Sequence, residues 1–368
     1  MTSGRGLSEA LAAAYPELAE VAAAAPDPVY LVGGAVRDLI RGQGRADIDL
    51  VVEGDPAALA AALGAEPVVS HSRFGTMKVD WNGEEIDLAA SRRERYARPG
   101  ALPTVELGAP IRTDLARRDF TVNAMAIPLA DPEDLLDPYD GQVDLRAGLL
   151  RVIHDRSFVD DPTRAIRAAR YAARFDFELE AGTEALLRAT DLDSVTPERR
   201  AEELRRLARE ATGVKGLELL AGWGMIEPRE GGLEWANAVD GVLGTAAWAG
   251  EVDRPDAILA AAGALDAPPD VDKLAAANPT RPSEGAALAR GVDPLVLVLA
   301  RAKGAAWLDD WLTWREVTLG ITGADLTAAG LAGRAIGVAL DAALAAKLDG
   351  EASTRADELR VALAAVGS

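Results

Sequence analysis

The sequence has no cysteine and only two histidines, and these shortages exclude several kinds of active site. Without cysteine the chain has no disulfide, no thiolate nucleophile and no cysteine zinc site. With only His71 and His154 available, a histidine-rich metal hydrolase site is excluded as well. The chemistry of this chain therefore has to come from other side chains.

Long apolar runs are also absent. No stretch of about twenty apolar residues indicates a membrane span. The stretch MTSGRGLSEALAAAYPELAEV lacks the basic start and the uninterrupted apolar run of a signal peptide. We therefore expect a soluble, cytoplasmic protein that does not contact membranes, and nothing in the sequence implies a protein partner.

Positive charge is scarce, since 39 lysines and arginines face 59 acidic residues and the formal net charge is −20. This balance argues against general attraction to nucleic acid. The charge is uneven, because residues 221–368 carry many more acids than bases whereas residues 151–220 are nearly balanced and rich in arginine. A polyanion would have to be held in a local basic channel by specific contacts.

The first 150 residues alternate between short apolar strands and helices, which indicates a mixed α/β domain. Asn82-Gly83, between two strand-like runs, is a strong hairpin signal. From about residue 155 onward the pattern predicts one helix after another, with a possible boundary near residues 228–256. The predicted N-terminal elements are helices over 1–25, 35–42 and 56–64, and strands over 29–34, 46–54, 76–81 and 84–91.

Two aspartates in the second predicted strand suggest a metal site. Asp47 and Asp49 are two residues apart, so both carboxylates project from one face of a strand. Such a pair suits divalent cations that bridge a triphosphate and an attacking hydroxyl. Asp87, on the predicted hairpin, could supply a third carboxylate that helps to remove a proton from that hydroxyl. The alternative is that these are ordinary acids at a strand edge.

A glycine pair precedes the helix predicted over residues 35–42. Gly33-Gly34 lies between a strand and a helix N-terminus, where backbone N–H groups and the helix dipole favour phosphate. Arg37 lies one turn into the helix and can reach the same anion. The alternative interpretation is a simple glycine turn.

The stretch DDPTRAIRAARYAARF, residues 160–175, predicts a helix that Asp161 caps and in which Pro162 occupies the first turn. Its spacing places Arg164, Arg167, Arg170 and Arg174 on one face. Taken alone, this stripe could be only a solvated helix face.

Five ordered motifs together resemble the class II tRNA nucleotidyltransferases, the family of CCA-adding enzymes and bacterial poly(A) polymerases. They span about residues 28–210, and VTPERRAEELRRL fits the helix that follows in that family. Asp160-Asp161 departs from the usual Glu-Asp before the arginine helix, and nothing beyond about residue 230 matches. The motifs are GGAVRD…ADIDLVV, EIDLAA, ARRDFTVNAMAI, LLDPYDG and DDPTRAIRAARYAARF.

The resemblance implies an α+β protein. A polymerase-β-like nucleotidyltransferase head with a mixed sheet would occupy residues 1–150, a helical neck that selects the nucleotide residues 151–228, and a helical body and tail residues 229–368. Mg²⁺ would be bound by Asp47 and Asp49. The implied reaction adds CMP, CMP and AMP from CTP and ATP to the tRNA 3′ end and releases pyrophosphate.

The resemblance also assigns the arginine helix to nucleotide selection. Cytosine and adenine both present an amino donor beside a ring-nitrogen acceptor. The carboxylate of Asp161 can accept from the amino group while Arg164 donates to the ring nitrogen. Arg167 and Arg170 would meet phosphates or the RNA end. Arg118 would contact nucleotide, with Asp119 bonded to the ribose hydroxyls.

A basic loop, SRRERYARPGALPTV (residues 91–105), lies where the family has a flexible element that helps to switch from C to A addition. Its presence favours a full CCA-adding or an A-adding enzyme over a CC-only one. The alternatives left open are an A-only or CC-only tRNA enzyme, a poly(A) polymerase and, in a different class, a catalytically dead RNA-binding protein.

Overall fold

The computed structural model describes residues 6–71 and 74–367. The chain divides into two compact units between Met225 and Ile226. The predicted division into head, neck and body stays a prediction. No helix in the described ranges has both the length and the apolar run that crossing a bilayer requires.

The first unit combines strands and helices. Its strands are β1 Val29–Val32, β2 Ile48–Val52, β3 Glu66–His71, β4 Thr76–Trp81, β5 Glu84–Ala90, β6 Arg92–Arg95, β7 Thr104–Leu107, β8 Ala126–Pro128, β9 Leu149–Leu150 and β10 Glu178–Leu179. Its helices are α1 Leu7–Ala14, α2 Leu18–Ala24, α3 Gly34–Ile40, α4 Pro56–Leu63, α5 Ile111–Ala116, α6 Gly141–Ala147, α7 Ser157–Asp160, α8 Arg164–Phe175, α9 Ala181–Arg188, α10 Pro197–Arg209 and α11 Gly213–Gly222. Short 3-10 helices cover Thr121–Asn123 and Leu192–Ser194.

The central sheet has six strands in the order β3-β4-β5-β2-β1-β8. Only β2 and β5 pair in parallel; the other neighbours are antiparallel. The predicted hairpin between β4 and β5 is confirmed. Asn82 and Gly83 have φ of 56° and 80°, as a two-residue turn with positive φ at both central positions requires. The parallel register sets Asp49 directly opposite Asp87.

The edge strand β3 is not predicted by the sequence pattern. It contains Pro67, and its register with β4 shifts between Pro67 and Val69. Proline cannot donate a hydrogen bond to the neighbouring strand and is confined to edge strands and bulges. Pro67 therefore protects this edge from further pairing, and it also interrupts the sequence pattern that would predict a strand.

The single helix predicted over residues 1–25 is wrong. Two helices, α1 and α2, form instead, and the chain breaks between them at Tyr15-Pro16. Proline disfavours helical geometry in the residue before it, which explains the break. The part of the prediction that falls on residues 1–5 lies outside the described residues.

The side of helix α8 that carries small and apolar residues packs against the rest of the first unit. Ile166, Ala169 and Ala173 are buried there. The helix begins at Arg164, later than predicted, because Asp161 starts a preceding turn in which its carboxylate accepts from the amide of Thr163 at 3.2 Å. The opposite side of α8 carries the arginines.

The second unit is helical. Its core includes the fully buried alanine-rich run of α13 and the indole of Trp235, whose N–H donates to the carbonyl of Leu299 at 3.2 Å. A separate cluster joins α18, α19 and α20 through Leu326, Ala343 and Ala362. Its helices are α12 Gly232–Leu243, α13 Arg254–Ala262, α14 Val271–Ala275, α15 Pro282–Ala289, α16 Pro294–Ala302, α17 Trp307–Trp314, α18 Gly323–Ala328, α19 Arg334–Leu348 and α20 Arg355–Ala364.

We predict that Glu358→Ala destabilises the second unit by about 2–4 kcal/mol. The carboxylate is buried and accepts from the amides of Gly320 (2.7 Å) and Ile321 (3.1 Å) and from the ammonium of Lys347 (2.6 Å). Its loss leaves these donors without an acceptor. Calorimetric unfolding of the full chain measures the effect. Glu351→Ala is the matched control, because it removes only an exposed ion pair with Arg281. Equal losses in both variants would contradict the prediction.

Candidate active site

A cavity of about 1360 Å³ lies in the first unit, and eleven of the twelve predicted site residues line it. Its walls come from the α3 turn, the start of β2, the segment after α5, and helices α8 and α10. The eleven residues are Gly33, Gly34, Arg37, Asp47, Asp49, Arg118, Asp119, Asp161, Arg164, Arg167 and Arg170. The twelfth, Asp87, lines a smaller cavity of about 400 Å³, to which Asp49 and Arg118 also contribute. The predicted residues therefore meet in one region of the fold.

The glycine turn requires glycine at its first position. Gly33 has φ 67° and ψ −128° and precedes α3. A β-carbon there would lie 3.0 Å from a guanidinium nitrogen of Arg118. The missing side chain thus lets Arg118 approach the turn closely.

The three carboxylates are held differently. Asp49 lies within β2 and Asp87 opposite it in β5, so the sheet fixes both backbones. Asp47 precedes the strand and is exposed. Burial, followed by the charges of Asp87 and Asp47, raises the pKa of Asp49 to about 6, although Arg118 and Lys78 oppose the rise.

The carboxylates fit a magnesium ion. Oxygen donors suit this hard cation, which proteins commonly bind through one or two carboxylates together with substrate phosphates. No group of three or more His, Cys, Asp or Glu side chains in the described ranges is arranged to hold a metal by itself. Burial and the nearby carboxylates of Asp87 and Asp47 disfavour a charge on Asp49, and a cation bound beside it would favour the ionised form. Asp47 and Asp49 are the side chains that would hold it.

Lys78 is a site neighbour that the sequence reasoning missed. Its ammonium lies 3.7 Å from the carboxylate of Asp87 and 2.6 Å from that of Glu85. The signal was available, because a two-residue turn at 82–83 sets residue 78 opposite residue 87.

The segment after α5 is locked by its own carboxylate. Asp119 is buried and accepts from both Nε and Nη2 of Arg167, at 2.9 and 2.6 Å. Its other oxygen accepts from Nδ2 of Asn123 at 3.0 Å and from the amide of Phe120 at 2.9 Å. Burial alone would raise the pKa of Asp119, but the guanidinium of Arg167 and these hydrogen bonds lower it to about 2.

Arg37 is buried and is used within the protein. It donates two hydrogen bonds to Asp38, each 2.9 Å, and one of 2.6 Å to Oδ1 of Asn123. Its guanidinium also lies over the ring of Phe175, 4.2 Å from the centroid. Three of the five N–H groups that a guanidinium carries therefore have protein acceptors.

Arg164 and Arg170 differ in which of their N–H groups are hydrogen-bonded within the protein. Arg164 is buried and donates to Oγ of Ser157 (2.9 Å) and to the carbonyl of Arg117 (2.5 Å). The Nε of Arg170, like that of Arg118, is buried without a hydrogen-bond partner among the described atoms. Both of these side chains line the cavity.

Arg199 of α10 is a second residue that the sequence reasoning missed. It donates to the carbonyl of Gly100 in the basic loop at 2.7 Å and to Oδ1 of Asp161 at 3.1 Å. The hydroxyl of Thr163 also donates to Oδ1, at 2.7 Å. Among the described residues, the hydrogen bonds to the side chain of Asp161 thus all engage one oxygen. Arg199 is 38 residues from Asp161 and 99 from Gly100, which is beyond any local pattern.

Comparison with known proteins finds a family match in the first part of the chain. Residues 29–151 match the family described as the poly A polymerase head domain. The glycine turn, the three carboxylates and the segment after α5 all lie within the matched residues, whereas Asp161, the arginine helix and Arg199 follow them.

Relatives and solved structures extend the likeness beyond the head. The A-adding tRNA nucleotidyltransferase of Halalkalibacterium halodurans is 43% identical over 219 residues, which are 55% of this chain and 50% of the relative. The CC-adding tRNA nucleotidyltransferase of Deinococcus radiodurans is 41% identical over 212 residues, 55% of each chain. The chain thus spans about half the length of these relatives.

A solved CCA-adding enzyme without ligand matches almost the whole fold. It is 28% identical, with a TM-score of 0.83 over 98% of this chain and 99% of the other. The predicted fold class, an α+β protein with a polymerase-β-like nucleotidyltransferase head followed by helices, is confirmed, and so is the resemblance to the tRNA nucleotidyltransferases.

We predict that Asp49→Asn stabilises the metal-free protein at pH 8 by about 1–3 kcal/mol and much less at pH 4. The folded-state pKa of Asp49, about 6, lies above the ordinary 3.8. Ionisation therefore costs the native state more than the unfolded chain as the pH rises through this window. Urea unfolding at both pH values in EDTA measures the effect, with the exposed Asp134→Asn as control. A stabilisation that does not change with pH would contradict the pKa.

Proposed function

We propose that this protein is a tRNA nucleotidyltransferase that adds CMP, CMP and AMP to the tRNA 3′ end. The observation that carries the proposal is one cavity lined both by the paired carboxylates of the head and by the arginine helix that follows it. The first set suits phosphoryl transfer and the second suits reading a base. The cavity is larger than the usual pocket for one small ligand, which supports a site for a nucleotide and an RNA end together.

In the proposed reaction the 3′ hydroxyl oxygen of the tRNA attacks the α-phosphorus of CTP or ATP. A new P–O bond forms while the bond to pyrophosphate breaks. Asp87 accepts the hydroxyl proton, directly or through water. Magnesium held by Asp47 and Asp49 would stabilise the charge on the attacking and leaving oxygens.

Base selection is proposed to depend on Asp161 and Arg164. The second oxygen of Asp161 accepts from the amino group of cytosine or adenine, while Arg199 and Thr163 hold the first oxygen in place. Uracil and guanine would bring a carbonyl against this carboxylate. For Arg164 to donate to the ring nitrogen, its guanidinium has to turn from its bonds to Ser157 and Arg117. Because Arg167 is engaged by Asp119, Arg170 and Arg118 are the better placed to meet phosphate.

A second candidate is an enzyme that adds only the terminal AMP. The similar relative from H. halodurans carries this name, and it shares 43% identity over 219 residues of the chain. The basic loop before α5 is expected in both the CCA-adding and the A-adding enzymes, so it does not separate the two. The length of the reaction product separates the two enzymes.

The test uses purified full-length protein and three tRNA transcripts that lack CCA, end in C and end in CC. With CTP and ATP, a full CCA-adding enzyme completes all three, whereas an A-only enzyme extends only the last. Asp47→Asn should lower transfer of both nucleotides at least 100-fold without loss of tRNA binding, since an intact cavity still holds the RNA. Asp134→Asn is the control.

The same assay separates the other classes. Long A tracts would indicate a poly(A) polymerase. Binding of tRNA with no transfer by the wild-type protein would indicate a catalytically dead RNA-binding protein and would overturn the proposal.

We predict that Asp161→Ala relaxes selection against UTP and GTP by about 10- to 100-fold, the effect of losing one charge-assisted contact in a partly buried site. The measurement is kcat/KM for the four NTPs on a tRNA that lacks CCA. Asp160→Ala is the matched control, because this neighbouring carboxylate pairs with Arg156 and does not line the cavity. An equal fall of all four values in Asp161→Ala would show that the residue does not read the base.

A further inference from the structure

Tyr15, outside the cavity, holds the chain just before the candidate metal ligands. The residue lies at the break between α1 and α2 and is only 2% exposed. Its hydroxyl accepts from the amide of Ala46 at 2.9 Å and donates to the carbonyl of Ala46 at 3.3 Å. One side chain thus engages both backbone groups of the residue that precedes Asp47.

This contact lies where the sheet gives no support. The ladders that fix β2 begin at Ile48, and residues 43–47 have no regular secondary structure. Asp49 and Asp87 are set by strand register, but Asp47 is not. Its position depends on how the residues before it are anchored, and Tyr15 provides the anchor at Ala46.

Arg45 reinforces the same segment from two sides. Its guanidinium lies over the ring of Tyr15, 5.4 Å from the centroid, and is 2.7 Å from the carboxylate of Glu17. It also donates to Glu84, the first residue of β5, at 2.6 Å. Residues 45 and 46 are therefore clamped between the N-terminal helices and the strand that carries Asp87.

We propose that Tyr15 is a positioning residue for Asp47: its hydroxyl sets the place of this carboxylate beside Asp49 and so the affinity of the pair for a divalent cation. The inference rests on the proposed metal site. It gives the N-terminal helices, which contribute no residue to the cavity lining, a part in the chemistry through the chain of contacts from Tyr15 to Ala46 to Asp47.

The test measures Mn²⁺ binding to the full chain in the absence of nucleotide. Electron paramagnetic resonance reports the concentration of the free ion. Tyr15→Phe keeps the buried ring and removes both hydroxyl bonds, so the dissociation constant should rise about three- to ten-fold. Tyr30→Phe is the matched control, because it also deletes one tyrosine hydroxyl and leaves residues 43–49 untouched. Its Mn²⁺ affinity should equal that of the wild type.

Asp47→Asn separates failure of the inference from failure of the proposed site. If wild type and Asp47→Asn bind Mn²⁺ equally, the proposed metal site is wrong. If Asp47→Asn weakens binding and Tyr15→Phe, folded by circular dichroism, does not, the site stands and the positioning role of Tyr15 is wrong.

If Tyr15→Phe fails to fold, Arg45→Gln tests the same anchor. Removing a positive charge near the carboxylates would by itself strengthen cation binding. Weaker Mn²⁺ binding in folded Arg45→Gln would therefore support control of Asp47 by the clamped segment, and equal or stronger binding would overturn it.

Discussion

The arrangement of the candidate active site depends on the buried carboxylate of Asp119. Its two oxygens join three parts of the first unit: Arg167 reaches it from α8, Asn123 from the 3-10 helix, and Asn123 in turn accepts from Arg37 of α3. A buried charge without such partners would cost several kcal/mol. The ion pair is therefore favourable only when all three elements are assembled, and the cavity forms between them.

The same residue type behaves in opposite ways on two walls of this cavity. Asp119 is held ionised, with a pKa of about 2, because guanidinium and amide donors surround it. The pKa of Asp49 is raised to about 6 because its side chain is buried and lies near other carboxylates. The first aspartate is paired with a guanidinium, whereas burial and like charges dominate around the second. This contrast separates a structural acid from a candidate ligand where the sequence shows only two aspartates.

Much of this site could be predicted from the sequence, and the features predicted correctly depend on residues that are close together in the chain. The i, i+2 spacing of Asp47 and Asp49, the hairpin at Asn82-Gly83 and the spacing of the arginines in α8 are local rules that the fold follows. The break at Tyr15-Pro16 was also readable, since proline marks it. What the sequence does not reveal is which donors are already satisfied. Arg167 and Arg170 look equivalent in the stripe, yet the first is engaged by Asp119.

Partners far apart in the chain were missed for the same reason. Arg199 contacts Gly100 and Asp161, and Tyr15 contacts Ala46, through packing that no periodicity encodes. The resemblance of the motifs to a known family predicted that the cavity residues belong to one site. It does not indicate residues that act through contacts with backbone groups.

The distribution of charge explains how an acidic chain can be suited to a polyanion. Residues 226–368 contain 21 acidic and 12 basic residues, and nine of those basic side chains are already ion-paired within the second unit. That unit offers little net attraction to phosphate. Arg118 and Arg170, whose Nε atoms have no hydrogen-bond partner within the described ranges, line the cavity of the first unit instead. Because an acidic surface weakens loose binding, RNA held by this protein would depend on contacts at its end. Specificity for the site of chemistry then follows from the weakness of attraction elsewhere.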